Sequence, residues 1–178
     1  ASMTDLLLRH PRVWGAGEES TDLAISGGRI EAIGIDLPRD GAEVIDASGC
    51  LVIPGLVDAH AHVDKTLWGT AWHSHQAGPT LIDKIENERR VLMDLGLSAE
   101  KQSARLIRHM VARGTTHVRT HVDIGPDIGL ANFHGVLAMR EKHRQWIDIE
   151  IVAFPQTGVM IRPGTLELLE QAAAQGAE

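Results

Sequence analysis

The chain has no tyrosine, two phenylalanines and four tryptophans, so its core must be built from aliphatic side chains. It has a single cysteine, Cys50, which excludes an internal disulfide and suits a reducing compartment. A cytoplasmic location is therefore expected, with Cys50 itself reading as a small apolar residue in a strand. Positive charge is not in excess. Seventeen Lys and Arg stand against 24 Asp and Glu, a net charge of −7, and no basic cluster offsets it, which argues against a nucleic-acid partner. No apolar run is long enough to cross a bilayer, and no charged segment followed by an apolar stretch resembles a secretory leader, so no membrane partner is expected. Ala1-Ser2, ahead of Met3, is read as lying outside the fold. What remains, 178 residues of ordinary globular composition, is long enough to bury a sizeable core.

The pattern changes once along the chain. Up to residue 53 it is made of short strands. Leu6-Leu7-Leu8 is one, and Gly27-Gly28 joins residues 23–26 to 29–33 as a hairpin on a two-residue turn. Val44-Ile45 and residues 51–53 follow. After Pro54, strands alternate with helices, the pattern of βαβ units on a parallel sheet. The strands are residues 56–62, 116–124 and 149–154. The helices are 81–95, one capped by Ser98 and running to Arg113 with Leu106, Ile107, Met110 and Val111 as its apolar stripe, 130–145, and a last one capped by Thr165 with Leu166, Leu169 and Ala173 facing inward. Residues 65–80 form a long loop.

The sharpest chemical signal is Pro54-Gly55-Leu56-Val57-Asp58-Ala59-His60-Ala61-His62-Val63-Asp64. Strand side chains alternate between faces, so His60 and His62 share one. Two imidazoles on one face at the end of an apolar strand can grip one divalent metal ion, zinc or iron(II). Two half-buried polar residues at a strand end are the alternative. Asp64 and Lys65 follow directly, and Asp64 could pair with Lys65 or with a ligand histidine. Trp68 and Trp72 lie in the adjoining loop, where a tryptophan more often lines a pocket than fills a core.

Two further segments extend the pattern, His117-Val118-Arg119-Thr120-His121-Val122-Asp123 and Ile151-Val152-Ala153-Phe154-Pro155-Gln156-Thr157-Gly158. With the histidine strand, in this order, they resemble the first three barrel strands of the amidohydrolase superfamily, in its cytosine deaminase-like branch. Asp64-Lys65 departs from the threonine expected of cytosine deaminases proper and is similar to the Asp-Lys of triazine-amine hydrolases in that branch.

The resemblance implies an α/β fold, a TIM (β/α)₈ barrel with a small β-sandwich domain. Residues 1–53 would be the N-terminal part of the sandwich, and residues 54–178 the first three or so βα units of the barrel. A complete barrel takes about 250 residues, so the chain is expected to be the N-terminal portion of a longer protein, with an open sheet edge if isolated. A complete three-stranded α/β domain is the alternative.

The resemblance further implies a hydrolase that expels ammonia or an amine from a pyrimidine such as cytosine or from a triazine, using metal-activated hydroxide. His60 and His62 would be metal ligands, the remaining ligands and the acid–base groups lying outside the chain, with no catalytic residue assigned within it. Gln156 would bind the ring edge, because a primary amide offers both donors and an acceptor; an ordinary loop glutamine is the alternative. Lys65 and Trp68 are candidate substrate contacts. His121 and Asp123, which share a strand face with Arg119, would orient a ligand or lie under the substrate, or else form an inert polar layer. His73 and His75 could meet substrate, while His109, His134 and His143 are expected on helix surfaces. A small heterocyclic substrate and a homo-oligomer are expected. The competing readings are a hydantoinase-like hydrolase of cyclic amides and an inactive fragment.

Overall fold

The computed structural model describes residues 4–17, 19 and 21–178; Ala1 and Ser2 lie outside them. The chain divides into two units, Ala1–Pro54 and Gly55–Glu178.

In the first unit β1 (Leu6–Arg9), β3 (Asp22–Ser26), β4 (Arg29–Gly34) and β5 (Glu43–Asp46) form a four-stranded sheet in the order β4-β3-β1-β5. The β3–β4 hairpin turns on Gly27 and Gly28, both at positive φ (55° and 74°), which glycine adopts without steric cost. A short β2 (Arg12–Val13), which the sequence pattern does not announce, pairs in parallel with β6 (Leu51–Val52). Arg12–Val13, with one apolar residue between a proline and a tryptophan-glycine turn, carries too little periodicity to be read. Leu7, Ala24 and Ala42 make the small core. Cys50 is exposed in the turn before β6 rather than packed within a strand, because Cys50 N closes that turn on Ala47 O.

The second unit is a three-stranded parallel sheet in the order β7-β8-β9, with β7 (Leu56–Ala61), β8 (Thr115–Asp123) and β9 (Asp148–Phe154). Its helices are α1 (Leu81–Asp94), α2 (Ala99–Val111), α3 (Ala131–His143) and α4 (Thr165–Ala174). Val118, Thr120 and Val122 of β8 and Ile149 and Ile151 of β9 point to the helix-covered face. There they pack with Ile107 and Met110 of α2, Phe133, Val136 and Met139 of α3, and Ala172 of α4. His117, Arg119, His121 and Asp123 take the opposite face, beside Asp148, Glu150, Val152 and Phe154 of β9. The last residue, Glu178, hydrogen-bonds the outer edge of β9 through Ile151 O and Ala153 N, each at 2.8 Å.

Phe133 is fully buried at the centre of this core. Phe133→Ala should therefore destabilise the second unit by roughly 3–5 kcal/mol, read as a shift of the denaturant midpoint in the full-length protein. A loss under about 1 kcal/mol would mean that the site collapses around the deletion.

Three details depart from the sequence reading. The N-cap of α4 is Gly164, at φ 90°, and Thr165 is the first helical residue, its hydroxyl donating to Arg162 O at 2.8 Å. Leu166 and Ala173 are exposed, while Leu169 does face the core, together with Leu168 and Ala172. His143 is buried and its Nδ1 bonds Met139 O (3.0 Å), so it ends α3 inside the fold rather than on its surface. Helix α1 carries a full capping box between Thr80 and Asp83, yet none of its residues is fully buried.

Candidate functional site

The site lies where the three parallel strands end. Gly55 starts β7 close against β8: a Cβ there would come within 2.3 Å of Thr116 Oγ1, so only glycine fits after Pro54. The β7–β8 register is irregular. Leu56 opposes Thr115 but Val57 opposes His117, and between Asp58 and Ala61 β7 advances three residues while β8 advances two, to Thr120. The second irregularity undoes the first. Ala61 thus lies opposite the buried Thr120, and His60 and His62 turn to the face that carries His121. Thr120 Oγ1 fixes this junction by donating to Ala61 O (3.3 Å) and accepting from Val63 N (3.1 Å).

Three imidazoles converge there. His60 stacks on His121 with ring centroids 4.3 Å apart, and His62 lies 5.4 Å from His60 and 5.7 Å from His121. Phe154 closes the cluster edge-on against His62 and His121. His62 Nδ1 and His121 Nδ1 are buried with no hydrogen-bond partner. Burial, and then the Lys65 charge, holds His62 below the usual imidazole pKa; burial, and then His60, does the same for His121. Both shifts favour the neutral imidazole, the form that binds metal. His60 and His62 therefore fit a divalent ion as two nitrogen donors. Among the described residues no group of three or more His, Cys, Asp or Glu is arranged to hold a metal ion, so the pair is a partial ligand set.

A 3₁₀ turn (Val63–Lys65) leads out of the strand and places two side chains. Asp64 does not pair with Lys65 or a histidine, the partners its neighbours suggested. Its Oδ2 accepts from Asp123 N and from Asn132 Nδ2 of α3, both at 3.1 Å, tying the end of β8 to the start of α3. Burial pushes its carboxyl up to about 6. Lys65 is the hub. Its Nζ lies 3.2 Å from each oxygen of Asp123, 3.1 Å from Glu88 Oε1 of α1, and within hydrogen-bonding contact of Gln156 Oε1. Gln156 Nε2 in turn donates to Glu88 Oε1 at 3.3 Å. Burial raises the Asp123 pKa, and Lys65 opposes that rise.

The structure thus brings His60, His62 and His121 into one cluster and Lys65, Asp123 and Gln156 into another. Trp68 stands apart: its indole packs on His109 of α2 (4.3 Å), and Gln102 holds the loop by donating to Thr66 O (2.6 Å). Arg119 is likewise engaged elsewhere, with Glu150 and Glu178. His73 and His75 line a cleft of about 260 Å³ together with Lys65, Lys84 and Glu88. Glu88, Asn132 and Phe154 were not singled out from the sequence. Glu88 and Asn132 reach the site from helices, where a lone polar residue gives no positional signal; Phe154 could have been found two residues before Gln156.

The sequence profile of the amidohydrolase family matches residues 43–176, and the chain belongs to that family. Among solved structures, N-isopropylammelide isopropylaminohydrolase from Burkholderia multivorans superposes with a TM-score of 0.87 at 43% identity, over 98% of this chain and 44% of that one. The 5-methylcytosine deaminase of Klebsiella pneumoniae, liganded with 5-fluorocytosine, gives 0.74 at 30% identity over 96% of this chain and 41% of its own. By sequence, N-isopropylammelide isopropyl amidohydrolase of Pseudomonas sp. (strain ADP) is 29% identical over 98% of this chain and 44% of its length. The chain spans less than half the length of each of these relatives. Among the described residues no helix is long and apolar enough to cross a membrane.

Proposed function

We propose that the protein to which this chain belongs is a metal-dependent hydrolase that releases an amine or ammonia from a nitrogen-rich ring of the triazine or pyrimidine class. We further propose that this chain supplies the first three strands of a (β/α)₈ barrel and part of a β-sandwich. The observation that carries the reading is the Lys65–Gln156–Glu88 cluster beside the histidines. It presents an ammonium, an amide and a carboxylate side by side, a donor-and-acceptor edge suited to a ring that alternates nitrogen with carbonyl or amine.

In the reaction the bond between a ring carbon and its exocyclic nitrogen breaks, a bond from that carbon to the oxygen of water forms, and the amine leaves with a proton from the water. His60 and His62, together with donors from the rest of the protein, would hold a divalent ion, which would supply hydroxide at neutral pH. Gln156 and Lys65 orient the ring, and Glu88 keeps both pointed toward it. Phe154 packs edge-on against His62 and His121 and helps hold their rings in place. Asp64 and Asn132 hold the end of β8 in place, and with it Asp123 under Lys65.

The full-length, metal-loaded protein should release isopropylamine from N-isopropylammelide, and do so faster than it releases ammonia from 5-methylcytosine. Release from neither would defeat the reading. Gln156→Ala should leave the metal content unchanged and lower kcat/KM by roughly 10- to 100-fold, the cost of a hydrogen bond lost with its buried partner left unpaired. Metal loss in this variant, or unchanged kinetics, would remove Gln156 from the ring site.

A further inference from the structure

The three side chains that meet Lys65 come from three separate segments: Glu88 from α1, Asp123 from the end of β8, and Gln156 from the turn after β9. Just beyond each of them, on the same segment, stands one member of an ion triad, Arg89, Asp127 and Arg162. Asp127 is its centre. Its Oδ2 accepts from Arg89 Nη1 at 2.8 Å and its Oδ1 from Arg162 Nη2 at 2.5 Å, so one carboxylate joins all three segments.

Asp127 stands on firm ground. It sits in a tight turn directly after β8, in which Gly125 O accepts from Ile128 N (3.1 Å) and Gly129 N (2.7 Å). The two segments it reaches are less firmly packed. Two clefts, of about 220 and 260 Å³, lie against α1, and none of its residues is fully buried. Among the described residues, the polar contacts of α1 with the rest of the unit are those of Glu88 and Arg89. Beyond Gln156, residues 157–164 form neither helix nor strand, and Met160 and Ile161 are exposed. Arg162 ties that stretch to Asp127. A single ion pair of this exposure contributes little, whereas charges joined in a network contribute more.

We propose that Asp127 is a positioning residue of the ring site: through Arg89 it holds Glu88, and through Arg162 it holds Gln156, at the Lys65 ammonium. The inference rests on the ring site proposed above and names the residue that keeps its donor-and-acceptor edge assembled. Asp127 acts through these neighbours and not on the ring itself. Its loss frees α1 and the 157–164 stretch at once. The fraction of molecules presenting Glu88 and Gln156 together then falls, and the apparent affinity for the ring falls with it.

The test compares the full-length, metal-loaded protein with its Asp127→Ala variant. Amide hydrogen exchange across residues 81–94 should speed up at least about 5-fold in the variant, while bound metal stays unchanged. For release of isopropylamine from N-isopropylammelide, KM should rise roughly 10-fold and kcat change less than about 2-fold, since the displaced side chains bind the ring and do not supply the hydroxide. In a Glu88→Gln/Gln156→Ala background, Asp127→Ala should cost less than about 2-fold more, because residues that act through one another are not additive. Cutting both arms instead, with Arg89→Gln and Arg162→Gln together, should reproduce these effects and gives the same readouts if Asp127→Ala does not fold. Unchanged exchange in α1, an unchanged KM, a loss of bound metal, or full additivity with the Glu88→Gln/Gln156→Ala background overturns the proposal. The exchange readout needs no turnover. Unsubstituted protein that releases no amine removes the proposed reaction; amine release with unchanged exchange in Asp127→Ala removes the role of Asp127 alone.

Discussion

His62→Ala in the full-length protein is expected to strip bound metal and hydrolysis together. The loss should exceed the ~10–100-fold that removal of an outer hydrogen-bond partner costs a metal site. The reason lies in the strand end. His62 and His60 occupy one face, partial burial lowers the His62 pKa, and its Nδ1 has no hydrogen-bond partner. His121→Ala is the control, since His121 stacks on His60 and is assigned no bond to the metal. It should lower metal affinity only within that range. Metal content measured on the purified variants decides the matter. Full occupancy and normal turnover in His62→Ala would end the case for a histidine-held ion, and equal loss from both variants would make His121 a ligand as well.

Lys65→Met should damage stability and catalysis at once. Lys65 and Asp123 are both buried, with side-chain exposures of 9% and 7%. Removing the ammonium leaves the Asp123 carboxylate without its counter-charge, a loss of about 3–5 kcal/mol by analogy with other broken buried pairs. Gln156 would lose its partner and its orientation, so kcat/KM should fall with the denaturant midpoint. Lys65→Arg keeps the charge but presents a planar fork where Glu88, Asp123 and Gln156 surround a point donor. It should restore much of the stability and little of the activity. Combining Lys65→Met with Asp123→Asn should recover stability relative to Lys65→Met alone, because the stranded charge is gone. A double variant no more stable than the single one would show that the pair is not what Lys65 contributes.

Much of this was legible in the sequence because it follows from short-range periodicity. Alternation along residues 56–62 placed His60 and His62 on one face, and Ser98 capped α2 where the apolar stripe required. Gln156 was legible only through its resemblance to a known motif. What stayed hidden involves contacts between distant segments. Glu88 meets Gln156 across 68 residues, on a helix with no buried residue to mark its inward face. Asp64 found its partners in Asp123 and Asn132, 59 and 68 residues away, rather than in the adjacent lysine. The start of α4 was misplaced because Gly164 can take a positive φ that the helix entry uses and Thr165 cannot offer at equal cost.

The paired irregularities in β7 make the length of this strand as constrained as its composition. Between Leu56 and Ala61 five steps on β7 match five on β8, but only because a skipped step at Val57 is made up before Ala61. A one-residue deletion between Asp58 and Ala61 would leave that skip uncorrected and invert the alternation beyond it. His62 would turn into the aliphatic layer beside Val118 and Val122, and Ala61 would take its place among the imidazoles. Genetic drift can therefore exchange residues in Asp58-Ala59 far more freely than it can insert or remove one. A library that varies the length of this segment should yield inactive proteins, and one that varies its letters should retain active ones.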